Sequence, residues 1–280
     1  MKIIFWGTPN YAIPSLNALI KNGHDILAVV TQPDRRRNRG SKTDFSPIKE
    51  RALEENIPVY TPQNIKKDID VQKDIFSLNA DIYIVVAYGQ ILPKEVLENP
   101  IYGCWNSHGS ILPKWRGAAP IQWCLMSGDK TSGVAIMHME EGLDTGPILF
   151  QEEITISPFE NAEQLTHKLS QLSSKLIIKA IQAIETIGPI SIDQRIKKLN
   201  MKEQSEFVEQ VSYARLLKKS DYSINWECSS LEIHRKVMGL YPNAFTHWKG
   251  KRIKILETEP FENINDNNSH SEILESIIKS

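Results

Sequence analysis

The sequence predicts an α/β protein: a doubly wound, mostly parallel sheet followed by a smaller β-rich domain. Three observations carry that expectation. Short apolar runs alternate with segments of helical periodicity as far as about residue 190, the pattern of strands joined by crossover helices. The run Ile82–Ala87 is apolar throughout and too short for a helix, as a strand buried on both faces would be. Beyond Tyr213 the chain turns basic and carries strand-like stretches joined by Lys249-Gly250-Lys251.

The elements follow in order. Residues 2–6 (K-I-I-F-W) read as a buried strand ended by Gly7-Thr8-Pro9. Ile13, Leu16, Leu19 and Ile20 recur at helical spacing, and Asp25–Val30 is a second strand. Thr31–Asp44 is a polar loop that gathers Arg35, Arg36, Arg37, Arg39 and Lys42 around Gly40. A helix over Pro47–Glu55, a short strand at Val59–Tyr60 and a helix over Val71–Leu78 lead to Ile82–Ala87. Gly103–His108 is the next strand, and Ala118–Met126 a helix with Pro120 in its first turn. Strands at Gly133–Met139 and Pro147–Ile156 flank a Gly142-Leu143-Asp144 loop. Leu165, Leu169, Leu172 and Leu176 mark a long amphipathic helix ending near Glu185–Gly188. Its start is open between a capping box at Ser157 and a cap at Asn161. Residues 1–189 thus form one domain, polar residues 190–212 a linker, and 213–280 a second domain. That second domain holds a helix over Ser230–Met238 and strands at Ala244–Trp248 and Arg252–Glu257.

Composition narrows the function. The 280 residues are 41% hydrophobic and 24% charged, ordinary for a globular protein with a substantial core. Three cysteines without a C-x-x-C pair point to a reducing cytoplasm, with neither a disulfide framework nor a zinc site. No segment has the 18 apolar residues of a membrane span. The net charge of −1 hides an asymmetry: Tyr213–Lys254 holds nine Lys and Arg against three Asp and Glu. A basic region on a neutral chain suits a polyanionic partner, although a solvated face would look the same. Gly7-Thr8-Pro9 is not a dinucleotide fingerprint. His138, Glu140, Glu141 and Asp144 lack metal-ligand spacing, so no metal is expected.

Asn106 to Asp144 is the most informative stretch. In a strand, residues i and i+2 share a face, so Asn106 and His108 can enter one pocket at the carboxyl end of theirs, where open α/β sheets bind ligands. Asp144, in a glycine-flanked loop after another strand, can reach the same place. An amide, an imidazole and a carboxylate are the equipment for moving a proton while an acyl group changes hands. On spacing alone they read more readily as ordinary strand-end polar residues.

The words S-I-L-P-K-W-R-G-A-A-P, I-I-F-W-G-T-P, T-Q-P-D-R, V-V-A-Y-G-Q-I-L-P and G-L-D-T-G resemble the methionyl-tRNA formyltransferases, within the wider 10-formyltetrahydrofolate-dependent transformylase family. The resemblance spans roughly residues 1–260 and implies a Rossmann-like formyltransferase fold. It also implies that Asn106, His108 and Asp144 are the catalytic residues, with 10-formyltetrahydrofolate as co-substrate and initiator methionyl-tRNA as partner; a monomer without a metal is expected. The folate is implied to lie along Val86, Ala87, Tyr88, Gly89, Gln90, Ile91 and Leu92, in the loop before Asp144, and along Ser110, Ile111, Leu112 and Pro113. Arg36, Arg37, Arg39 and Lys42 become candidates to clamp phosphates of an acceptor stem, where the alternative is a solvated loop. Lys249, Lys251 and Arg252, interleaved with Tyr222, Trp226, Tyr241, Phe245 and Trp248, become a backbone-contacting surface over aromatics expected mostly in the core. Members of the family continue past Glu259 to complete a small β-barrel, so the second domain is expected to be abbreviated and residues 262–280 loosely docked. An amino-sugar nucleotide formyltransferase and a non-catalytic RNA-binding protein are the competing readings.

Overall fold

The computed structural model describes residues 1–36 and 43–260. Seven strands form the central sheet: β1 (Lys2–Gly7), β2 (Asp25–Val30), β5 (Val59–Tyr60), β6 (Ile82–Val86), β7 (Cys104–His108), β9 (Thr131–His138) and β10 (Ile148–Thr155). Their order across the sheet is β10-β9-β7-β6-β1-β2-β5. The pairs from β5 to β7 are parallel, and β9 runs antiparallel to both neighbours. The chain builds outward from β1 to one edge, returns beside β1 as β6, and builds toward the other. The carboxyl ends of β1 and β6 therefore border a topological switch point, where such sheets leave a crevice. Two-residue strands β3 (Arg35–Arg36) and β4 (Thr43–Asp44) pair as a hairpin, and β8 (Arg116–Gly117) pairs with β11 (Tyr213–Ala214).

The period of two sorts the strands into two cores. Ile3 and Phe5 of β1 and Ile82, Ile84 and Val86 of β6 face one side. There they meet α1 (Ile13–Lys21) and Leu165, Leu169, Leu176 and Ile184 of α6 (Ala162–Ile187). Ile4, Trp6, Tyr83 and Val85 face the other, against α3 (Ile69–Ser77) and α4 (Lys94–Leu97). Truncating any one of these buried leucines to Ala is expected to cost about 2–5 kcal/mol. Asn161 starts α6: its Oδ1 accepts from the Gln164 N–H at 3.0 Å, and Gln164 Oε1 accepts from the Asn161 N–H at 3.0 Å. Ser157 instead opens the preceding turn, its N–H donating to Glu160 Oε2. Helix α2 (Pro47–Glu54) is capped by Ser46, and α5 (Pro120–Ser127) starts on Pro120 and stops at Gly128 in the left-handed region.

The polar segment expected as a linker carries helix α7 (Ile192–Leu199), capped by Ser191, whose Ile196 and Leu199 pack against the main core. Arg195 is buried there. Its guanidinium donates to the carbonyls of Tyr102, Ile190 and Ile101, and such pairing is what makes a buried charge tolerable. Beyond it, α8 (Ser230–Gly239) lies so close to α5 that a Cβ on Gly239 would sit 2.8 Å from Met126 Cγ. Strands β12 (Phe245–Trp248) and β13 (Lys251–Lys254) form a hairpin. Its turn residues Lys249 and Gly250 both have positive φ, 46° and 76°, matching the strand twist of a two-residue hairpin. Ile224, Val237, Met238, Leu240, Ala244 and Ile255 form a small separate core. The C-terminal residues 261–280, on which an abbreviated second domain turns, lie outside the described residues.

Candidate active site

Strand β7 is central, paired with β6 at Asn106↔Val85 and with β9 at His108↔Ala135. Ser107 points to α6, its Oγ 2.7 Å from that of Ser173. Asn106 and His108 therefore share the opposite face at the carboxyl end. Asp144 reaches them from the β9–β10 loop in a left-handed conformation, φ 52°, which Asp tolerates better than most residues. Gly146 lets this loop lie on β9: a Cβ there would fall 1.9 Å from the His138 carbonyl oxygen.

The three side chains converge on the carboxylate. Asn106 Nδ2 donates to Asp144 Oδ1 at 3.2 Å. The Gly117 N–H donates to Asp144 Oδ2 at 2.8 Å. His108 Nδ1 lies 3.6 Å from the same Oδ2. His108 Nε2 is 2.9 Å from the Trp115 carbonyl oxygen. Both neighbours of the ring are acceptors, so a ring N–H can face either of them. The His108 and Asp144 side chains are 6% and 14% exposed, which limits screening by water. Asn106 is more open and keeps a second N–H on the same nitrogen. The arrangement can place a ring N–H and an amide N–H around a developing oxyanion, with a carboxylate behind them.

Backbone supplies half of this site. Trp115 has φ 61°, and that conformation is tied down at three points. Its N–H donates to Ser212 Oγ at 2.9 Å, its indole N–H to Asp129 Oδ2 at 2.8 Å, and its carbonyl meets His108. Gly117 has φ 119°, and a Cβ there would lie 2.7 Å from the Ala214 carbonyl oxygen, so only glycine fits. Neither contribution leaves a side-chain signature in the sequence. Gln204, inside the expected linker, is a further participant that sequence reading missed. Its Nε2 donates to the Asp144 and Gly146 carbonyls at 2.9 and 2.8 Å.

The residues expected to meet folate divide in two. Ala87, Gly89 and Ile91 are exposed at the end of β6, and Ala87 and Gly89 have positive φ. Val86, Tyr88, Leu92, Ser110, Leu112 and Pro113 are buried, so their side chains are turned into the protein. Ser110 Oγ bonds its own loop at the Lys114 carbonyl, and Gln90 braces the Ile65 N–H and the Pro62 carbonyl. Ile111 is half-buried, and Leu143, just before Asp144, is exposed.

Of the expected phosphate clamp, Arg37, Arg39 and Lys42 lie outside the described residues, and Arg36 is placed by its backbone alone, in β3. Lys249, Lys251 and Arg252 sit on the β12–β13 hairpin, exposed. Tyr222, Trp226, Tyr241, Phe245 and Trp248 are all half-buried rather than core. Two of them carry cations: Arg252 stacks 3.9 Å over Phe245, and Lys249 lies 5.5 Å over Trp248. Tyr222 and Trp226 pack instead against the small core around Ile224 and Val237. His138 packs edge-on to Trp105 with its Nδ1 unpartnered. Burial, and then the Arg195 charge, push its pKa down to about 4. Among the described residues no three His, Cys, Asp or Glu are grouped to hold a metal, and no helix is long and apolar enough to cross a membrane.

Comparison with known proteins gives the family of the chain. Residues 1–181 match the family described as "Formyl transferase", and residues 216–277 its C-terminal domain. A methionyl-tRNA formyltransferase of Prochlorococcus marinus is 54% identical over 263 residues, 94% of this chain and 77% of the relative. One from Synechococcus is 53% identical over 93% of this chain and 76% of the relative. Among solved structures, a Helicobacter canadensis N-formyltransferase in complex with folinic acid and dTDP-3-aminofucose superposes with a TM-score of 0.69 at 20% identity, covering 97% of this chain and 93% of that one. HypX from Aquifex aeolicus in complex with tetrahydrofolic acid gives 0.63 at 15% identity, over 90% and 36%. At such identities these structures share the fold.

Proposed function

We infer the reaction from one premise: the chain belongs to the formyl transferase family. It transfers the formyl group of 10-formyltetrahydrofolate to the amino group of methionyl-tRNA, giving the formylated initiator. The observation that carries this reading is the convergence of Asn106, His108 and the Gly117 N–H on Asp144 at the carboxyl end of β7. Relatives at 53–54% identity bearing the methionyl-tRNA formyltransferase name support this acceptor. The stacked cations of the β12–β13 hairpin offer a surface for an RNA backbone.

The residues fit a flat folate. Ile91 and Leu143, 78% and 53% exposed, are large apolar side chains on the two segments expected to hold it. Covering such residues is favourable, and the open Ala87 and Gly89 leave backbone for polar ring edges. When bound, the co-substrate supplies the formyl carbon. The free N–H of Asn106 is then available to the formyl oxygen as negative charge develops on it. A substrate that displaces the Trp115 carbonyl from Nε2 meets an N–H able to protonate the departing nitrogen. Asp144 accepts the proton shed by the attacking amine. Residues 1–189 hold this chemistry, and residues from 213 onward supply the RNA-facing hairpin.

The test is transfer of labelled formyl from 10-formyltetrahydrofolate to methionyl-tRNA, alongside an elongator methionyl-tRNA and an amino-sugar nucleotide. Transfer to the initiator above both controls is expected. Transfer to the sugar alone would reassign the acceptor, and no transfer to any would remove the reaction.

A further inference from the structure

Residues 202–214 lie between the two stretches that match the family, 1–181 and 216–277, yet they cross both loops of the site. Lys202 and Ile148 exchange two backbone hydrogen bonds at 2.8 and 2.9 Å, bringing the segment alongside the start of β10. Ser212 and Ala214 accept from the backbone N–H groups of Trp115, Arg116 and Ala118. Between these ties sits Gln204, 1% exposed. Its Nε2 spends both N–H groups on the Asp144 and Gly146 carbonyls. Its Oε1 accepts both the Nε and the Nη2 of Arg116, at 3.0 and 2.7 Å. The amide has all four of its hydrogen bonds. Arg116 is itself 8% exposed, and among the described residues it forms no ion pair with a carboxylate. Leaving such a buried cation on a neutral amide is costly, whereas Asp or Glu at 204 would supply countercharge. A carboxylate, however, cannot donate to two carbonyls.

We propose that Gln204 is a positioning residue for formyl transfer: it fixes the left-handed backbone of the Asp144 loop and, through Arg116, the neighbouring loop whose Gly117 N–H holds the same carboxylate. The residue type follows from the task. Only a side-chain amide offers two donors to one loop and two acceptor sites to the other. The carboxylate of Asp144 must satisfy Asn106, His108 and the Gly117 N–H at once, and a shift of its backbone moves it against all three together. Gln204 touches none of the reacting groups, so its effect is on geometry alone.

Two variants separate this role from a packing role. Gln204→Glu keeps the volume and strengthens the Arg116 side, but sets carboxylate oxygen against the Asp144 and Gly146 carbonyls. Gln204→Met keeps the volume and removes both sides. The readouts are kcat and KM for formyl transfer, the melting temperature, and the ¹⁵N shifts of the His108 ring. Both variants are expected to lose about 10–100-fold in kcat, the scale of a roughly 1 Å misplacement. KM for either substrate should stay near the wild-type value, and the His108 ring shifts should move. Wild-type kcat in Gln204→Glu with unmoved ring shifts would overturn the proposal. So would a loss in Gln204→Met that Gln204→Glu restores, since that assigns Gln204 to Arg116 alone. Should Gln204→Met fail to fold, Gln204→Glu still decides. The inference rests on the formyl-transfer reading. If the wild-type chain transferred no formyl group, that reading would fall, and the ring shifts of Gln204→Glu would still judge the positioning.

Discussion

Replacing Asp144 with Asn keeps the size of the side chain while removing its charge and one of its hydrogen bonds. The carboxylate accepts from Asn106 Nδ2 and from the Gly117 N–H through different oxygens. An amide has only one oxygen, so whichever way it turns, its NH₂ faces one of these donors. The variant also removes the negative charge 3.6 Å from His108 Nδ1. At an effective dielectric near 20, its attraction for a protonated ring is worth at most about 4–5 kcal/mol. At about 1.4 kcal/mol per decade, that attraction accounts for at most roughly 10³-fold of the loss, and the missing proton acceptor adds to it. Single-turnover transfer of labelled formyl, with both substrates saturating, measures the loss, and a melting curve checks that the fold survives. The expected outcome is a folded protein slowed about 10²–10³-fold with little change in folate affinity. A folded Asp144→Asn variant within about ten-fold of wild type would refute the idea that this charge assists the chemistry.

Three further outcomes follow from the same structure. Gly117→Ala forces a Cβ to 2.7 Å from the Ala214 carbonyl at φ 119°; a cost of about 1–3 kcal/mol should lower the melting temperature by about 2–10 °C and slow transfer, and an unchanged melt and rate would contradict the close approach. His138 has a folded-state pKa of about 4, below its ordinary 6.5. The unfolded chain therefore takes up the proton first, so this contribution is whole above about pH 6.5 and disappears as pH falls toward 4. His138→Gln should flatten the stability-versus-pH curve in that window by up to about 3 kcal/mol, whereas superimposable acid curves would count against a buried neutral ring. Replacing Lys251 and Arg252 together with Gln should reduce the log–log salt slope of tRNA binding by about 1 for each phosphate that the hairpin no longer neutralises, leaving folate binding alone; an identical slope would make the hairpin a solvated surface.

The strands were legible because their physics is local. The alternation of Ile3/Phe5 with Ile4/Trp6 and the continuous run at Ile82–Val86 state their own burial. Asn106 and His108 were legible as a pair through the i, i+2 rule, and Asp144 through the resemblance. What stayed hidden is carried by backbone or by polar residues satisfied at a distance. The Trp115 carbonyl and the Gly117 N–H hold the imidazole and the carboxylate, yet any residue has such atoms. Arg195 and Gln204 are charged or polar letters in a stretch that reads as exposed. Carbonyls of Tyr102 and Ile190 in one case, and of Asp144 and Gly146 in the other, bury them. The cap of α6 could be narrowed to two positions but not chosen, because Ser157 and Asn161 each make a reach-back hydrogen bond, and only one of them starts the helix.

The central claim is that Asn106 and His108 act on the formyl group from opposite sides of one carboxylate. Single-turnover formyl transfer to methionyl-tRNA by Asn106→Ala and His108→Ala, at matched folate occupancy, tests it most directly. Losses of about 10²–10³-fold for the amide and 10²–10⁴-fold for the imidazole are expected, in proteins that melt and bind folate as the wild type does. A near-wild-type rate in either folded variant would contradict the claim for that residue.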